Sequence, residues 1–196
     1  MPALVGFEIV EQEKHRCVIK NITESSLEFE SLLVRVFNLL ESMGEEMAEH
    51  LEKGERDLEY ISFIDHTVNR FIGFCLRSLN KYGFKEHYKT PSMYAILQGL
   101  EHLGDLYKDL AEEIFLGRMK LHSDFLRGFR EVNHLLKEYR HLFYHFDDQK
   151  AVAFVHHYRE VRKRIQKLPS SQLTFLTSAL LRVIITELLS NQLTLR

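Results

Sequence analysis

The feature that most restricts this chain is an apolar repeat at steps of three and four, which runs with few breaks from Thr23 almost to the last residue. Such spacing lines side chains along one face of a helix. In TESSLEFESLLVRVFNLLESMGEEMAEHLEK the stripe passes through Leu33, Val36, Phe37, Leu40, Met43, Met47 and Leu51. Thr23 or Ser25 can serve as N-cap with acids following, and Gly54 closes the run. A second helix is predicted over RDLEYISFIDHTVNRFIGFCLRSLNKY, stopping at Gly83. After the loop KEHYKTPS, Thr90-Pro91 opens a third that runs to Leu116 and Gly117. RMKLHSDFLRGFREVNHLLKEYRHLFYHF, QKAVAFVHHYREVRKRIQKL and SSQLTFLTSALLRVIITELLSNQL follow, and Pro169 divides the last two. Three prolines and nine glycines leave these runs whole. Helices of about 25 residues would each be close to 40 Å long.

Short connections make neighbouring helices antiparallel. The expected fold is therefore all-α, with two tandem three-helix bundles over residues 23–117 and 118–196, the second a diverged copy of the first. Residues 1–22 differ: VGFEIV and HRCVIKNI are short, β-branched and alternating, and EQEK between them can turn the chain back. They are expected to form a small hairpin or extended arm.

A hydrophobic share of 45% against 28% charged residues excludes wholesale disorder. Cys17 and Cys75 cannot make a disulfide framework or a zinc knuckle, and they read as reduced thiols of a cytoplasmic protein. MPALVGFEIVEQEK lacks the basic start and apolar stretch of a signal peptide. The stretch nearest to a membrane span, residues 172–190, carries Arg182, Glu187 and several hydroxyl groups, so a bundle helix is expected there. The net charge of −2 hides an asymmetry: residues 1–116 hold 12 Lys and Arg against 21 Asp and Glu, and residues 117–196 hold 14 against 7. An acidic half can gather cations, and a basic half can meet phosphates, lipid headgroups or acidic partners.

The third helix contains an oddity. In LEHLGDLYKDLAEEI the stripe is Leu100, Leu103, Tyr107, Leu110 and Ile114, with Glu101 and Asp105 one turn apart on its shoulder. Gly104 lies between them, at a cost of about 1 kcal/mol to the helix relative to alanine. The second helix has a similar pair, Asp65 and Asn69 in FIDHTVNRF. Two neighbouring helices each offering oxygens at i and i+4 can build a cluster of ligands for a divalent cation. A glycine at 104 would let a neighbouring helix or an ion approach the backbone.

Residues 57–114 resemble the PhoU domain, a helical regulator of phosphate uptake. LEHLGDLYKDLAEEI is similar to that family's LERIGDHAxNIAE signature, matching at Leu100, Glu101, Gly104 and Asp105, and DHTVNRFIGFCLR is similar to its ExxVDRLxxLxxR stretch, with Val68, Arg70 and Arg77 in register. GFEIVEQEKHRCVIKNI resembles the linker of archaeal proteins that join an AbrB-like DNA-binding domain to PhoU repeats. The resemblance implies a metal at Asp65, Asn69, Glu101 and Asp105, iron or zinc ahead of magnesium or calcium. It also implies regulation of phosphate uptake through a transporter component or sensor as protein partner, and it allows a homo-oligomer. Asn69 replaces a family carboxylate with an amide. In the second unit Tyr158 and Arg162, then Leu181 and Ile185, fall at the acidic positions, so the site is expected in the first unit alone. With no AbrB-like segment in the sequence, direct DNA binding by this chain is not expected. The rival reading is a metal-free helical interaction or oligomerisation module of a transcriptional regulator whose DNA-binding domain lies outside the chain.

Other groups weigh less. His134, His141 and His145 share a helical face, and His141 with His145 has the spacing of zinc helices, but HLFYH lacks the glutamate of the metalloprotease motif. His156-His157 reads as surface. No Gly-rich phosphate loop or nucleophile elbow is visible, so no enzyme is expected. REVRKRIQK concentrates Arg159, Arg162, Lys163, Arg164 and Lys167, a basic surface for a partner or a solvated helix face.

Overall fold

A computed structural model describes residues 7–12, 15–21, 26–116 and 123–195. At the amino end, β1 (Phe7–Gln12) and β2 (Cys17–Asn21) pair antiparallel, with Ile9 opposite Ile19. The expected arm is thus a hairpin. A bulge between Ile9 and Glu11 shifts the register, and β1 continues through Glu11 and Gln12, which the sequence had suggested for the turn.

The remaining elements among the described residues are helices. The chain forms α1 (Ser26–Glu52), α2 (Tyr60–Tyr82), α3 (Thr90–Phe115), α4 (Ser123–Tyr144) and α5 (Asp148–Ile165). The last run joins α6 (Gln172–Val183), a π-helical segment (Ile184–Leu189) and α7 (Ser190–Thr194) without a break. Their ends follow local chemistry. Gly83, at φ 73°, ends α2 and donates its N–H to the Leu79 carbonyl. Asp147 accepts from the Lys150 amide at 2.9 Å to cap α5, and Ser171 accepts from the Thr174 amide at 3.1 Å to cap α6. Pro91 lies in the first turn of α3. The cap expected at Thr23 or Ser25 and the stop expected at Gly117 fall outside the described residues. α2 begins at Tyr60 rather than at Arg56, because the chain first turns at Gly54 and buries Leu58 ahead of the helix.

α2 packs on α1 and α3, α5 packs on α4 and α6, and between the halves α1 lies directly on α4 and α3 on α6. The apolar core is therefore continuous through both halves of the chain. Leu40 of α1, Leu100 and Leu103 of α3, Leu135 of α4 and Leu180 of α6 are fully buried in it. Phe37 of α1 meets the rings of Tyr139 and Phe143 on α4 at 6.2 and 5.5 Å, and Tyr107 of α3 meets Phe129 at 6.2 Å. Each such ring contributes roughly 1.5–3 kcal/mol by leaving water.

One buried polar group ties three helices. Asn133 of α4 donates from Nδ2 to the Gly44 carbonyl of α1 at 2.8 Å and accepts at Oδ1 from the Tyr107 hydroxyl of α3 at 2.9 Å. Gly44 is required for this approach, since a Cβ there would stand 2.7 Å from both Cγ and Oδ1 of Asn133.

The helix Leu173–Thr194 is long and apolar enough to cross a membrane, at a mean hydropathy of 1.6. In this fold 56% of its most apolar 18-residue window is buried, with Leu180, Val183, Ile184 and Leu188 shut into the core. It serves here as the core helix anticipated from its charged and hydroxyl residues.

Candidate functional site: the seam between α2 and α3

The i, i+4 spacing places Asp65 and Asn69 on successive turns of α2, and Glu101 and Asp105 on successive turns of α3. α2 and α3 are neighbours, so the four predicted residues share one seam. Gly104 makes the close approach expected of it. A Cβ at that position would lie 3.1 Å from Asp65 Oδ1, so the bare backbone of α3 receives the carboxylate of α2.

Asp65 is 1% exposed, an extreme position for a carboxylate. Its Oδ2 accepts from Asn69 Nδ2 at 3.3 Å and from the Lys108 ammonium at 3.3 Å. Lys108 also reaches Asp105 Oδ1 at 3.2 Å, so one ammonium bridges a buried and a half-exposed carboxylate. Glu101 accepts from Gln98 Nε2 at 3.1 Å. Asp65 Oδ1 and Asn69 Oδ1 are buried and have no hydrogen-bond partner.

Electrostatics follow from this arrangement. Burial pushes the Asp65 carboxyl above its ordinary range, the nearby Asp105 adds to the rise, and Lys108 offsets only part of it. Glu101 is also raised, first by burial and then by Asp105 and Asp65. For Lys108, burial disfavours the charge, but hydrogen bonds and attraction from Asp105 and Asp65 leave its pKa raised. The seam is thus a cluster of mutually repelling carboxylates held by a tethered cation. Two buried, unpartnered oxygens fit the donor chemistry of a hard or borderline metal. The ammonium is also a cation, however. Among the described residues, Asp65, Glu101 and Asp105 do not bring three ligand atoms within 4.8 Å of one another. A metal among them would have to displace Lys108 and draw the side chains together.

The other predicted groups lie elsewhere. Arg159, Arg162, Lys163, Arg164 and Lys167 are all exposed on and just beyond α5. Lys163 pairs with Glu160 at 2.9 Å and Arg164 with Glu131, which leaves Arg159, Arg162 and Lys167 without an ion pair among the described residues. The rings of His141, on α4, and His145, just past its end, stand 5.3 Å apart. His134 turns instead to Glu138 and to His157 of α5. Sequence reasoning missed that grouping: the His134–Glu138 spacing was legible, but the third member comes from another helix. Tyr158, Arg162, Leu181 and Ile185 supply no carboxylate at the matching positions of the second half. Cys75 is a buried free thiol, and burial pushes its pKa up to about 12.

No protein-family model matches the chain, and no curated protein or solved structure shows significant similarity to it.

Proposed function

We propose that this chain is a regulator of the PhoU type, acting in phosphate signalling by binding a protein partner rather than by turning over a substrate. The observation that carries the reading is the seam itself. The four residues singled out by the PhoU-like motifs, Asp65, Asn69, Glu101 and Asp105, come to one helix–helix junction, and Gly104 admits the buried carboxylate. In this reading α1–α3 and α4–α6 are two tandem three-helix units joined through one shared core. The first unit presents the acidic seam and the second the exposed basic residues of α5. A transporter component or sensor in the cytoplasm is the partner this reading names.

A second reading has its own support. Because Lys108 already bridges Asp65 and Asp105, the seam can serve as a metal-free joint in an interaction or oligomerisation module. Elemental analysis of the untagged protein beside a Glu101→Ala/Asp105→Ala variant separates the two. Stoichiometric iron or zinc in the native protein, lost in the variant, is the result expected if the seam is a metal face. Equal background metal in both, even after loading with excess iron or zinc, sinks the metal face and leaves the joint. Binding of a phosphate transporter component or sensor, absent in the Glu101→Ala/Asp105→Ala variant, is the expected functional readout. A partner that binds both proteins equally would remove the seam from the interaction.

A further inference from the structure

We infer that α4 and α5 carry a separate site for a borderline divalent cation of the zinc class, built from His134, Glu138 and His157. Ligand atoms of the three residues all lie within 4.8 Å of one another, the only such group among the described residues. A triangle with sides at that limit has its centre about 2.8 Å from each corner, and bonds of about 2.0–2.2 Å need only small side-chain rotations from there. His134 and Glu138 sit at i and i+4 on α4, and their side chains approach to 3.4 Å from Nδ1 to Oε1. His157 comes from the adjacent α5, with Nδ1 2.8 Å from Glu138 Oε2, and its ring meets that of His134 edge-on at 5.9 Å. The two histidines therefore converge on opposite oxygens of one carboxylate, from two helices that pack together along the core.

The donor chemistry selects the ion. Two imidazoles and one carboxylate suit zinc and its first-row neighbours, whereas the oxygen-rich shells of calcium and magnesium are not available here. Three protein ligands leave a fourth tetrahedral position open. A cavity of about 370 Å³ adjoins the group, lined by Glu138, His157, His141, Lys150 and Phe154 among others, and it gives that position room for water or a small anion. Glu138 and His157 are each about one-third exposed, so an ion can enter from solvent without opening the core. This site shares no residue with the α2–α3 seam and stands or falls independently of it.

The test is titration of the untagged, metal-stripped full chain with Zn²⁺ by calorimetry, and with Co²⁺ followed by its visible absorption. Glu138→Gln, His157→Ala and Glu101→Ala/Asp105→Ala variants are run in parallel, and circular dichroism checks their folding. The expected result is one Zn²⁺ bound with affinity weakened roughly tenfold or more in Glu138→Gln and in His157→Ala, with a tetrahedral Co²⁺ spectrum lost in both. The seam variant should bind as the native protein does. No binding to the native chain, or binding that survives both α4–α5 substitutions, overturns the site. Binding abolished only by the seam variant overturns it as well and moves the metal to α2–α3. Glu138→Gln keeps the size and hydrogen-bonding reach of the side chain, so the test holds even if His157→Ala fails to fold.

Discussion

Asn133 and Asp65 are both polar and both shut away from water, yet they are satisfied to very different degrees. Asn133 gives one good hydrogen bond and receives another, each under 3 Å, and so locks α1, α3 and α4 together. Asp65 crowds both of its contacts, at 3.3 Å each, onto one oxygen and leaves the other with none. A fully paired buried amide fixes register at little cost. A buried carboxylate with a stretched, partly exposed partner is a standing expense of folding. The contrast separates architecture from an expense that the fold does not need. That is why the α2–α3 seam, and not the Asn133 junction, is the place to look for function.

Substitutions can break or sharpen this contrast. The largest effect is expected at the junction. Gly44→Ala drives a methyl group into the held Asn133 side chain, and it should cost about 3 kcal/mol in chemical denaturation. Asn133→Ala, which strands the Gly44 carbonyl and the Tyr107 hydroxyl, should cost about 2 kcal/mol. Because both act on the same contact, the double variant should lose clearly less than the sum of the two. Strict additivity would show that Gly44 and Asn133 do not press on each other. At the seam, Lys108→Met leaves the Asp65 charge without its cation and should cost about 1–2 kcal/mol at neutral pH, tempered by the partial exposure of Lys108.

The smallest change, and the most telling, is Asp65→Asn, expected to be neutral or stabilising by up to about 1 kcal/mol at neutral pH. Its pH dependence has a defined sign. The folded pKa of Asp65 lies above the ordinary value of 3.8, so between the two the folded chain holds the extra proton. Native stability should then fall, relative to Asp65→Asn, as pH rises from 3.8 through the raised folded value, and the difference should level off above it. Denaturation curves across that range check it. A native protein that instead gains stability over the variant with rising pH would show that Lys108 more than compensates the buried charge.

Much of this was legible in the sequence. Six apolar stripes gave six helical segments, and the Gly83 stop, the Pro91 start and the core role of Leu173–Thr194 follow from residue chemistry alone. The gathering of Asp65, Asn69, Glu101 and Asp105 was also legible, because i, i+4 spacing fixes a face and a short loop fixes the neighbour. Less could be read where the outcome depends on a third element. That Lys108 bridges two of these acids could not be read from spacing alone, because it reaches Asp65 only where α3 packs on α2. Asn133 has an unremarkable position on the α4 stripe until Gly44 and Tyr107 are brought to it from far along the chain. The π-helical turn at Ile184–Leu189 left no mark in the apolar repeat.

The core that runs from one half of the chain to the other also bears on the order in which the protein is made. Chains fold from the amino end as they leave the ribosome, at roughly 5–20 residues per second. When α1, α2 and α3 have emerged, Phe37 and Tyr107 still lack the aromatic rings of α4 that will cover them. The nascent first half therefore shows water an apolar face for as long as the ribosome takes to deliver α4 and α6. For those seconds the first half lacks its cover, and its own second half is the lid that closes over it.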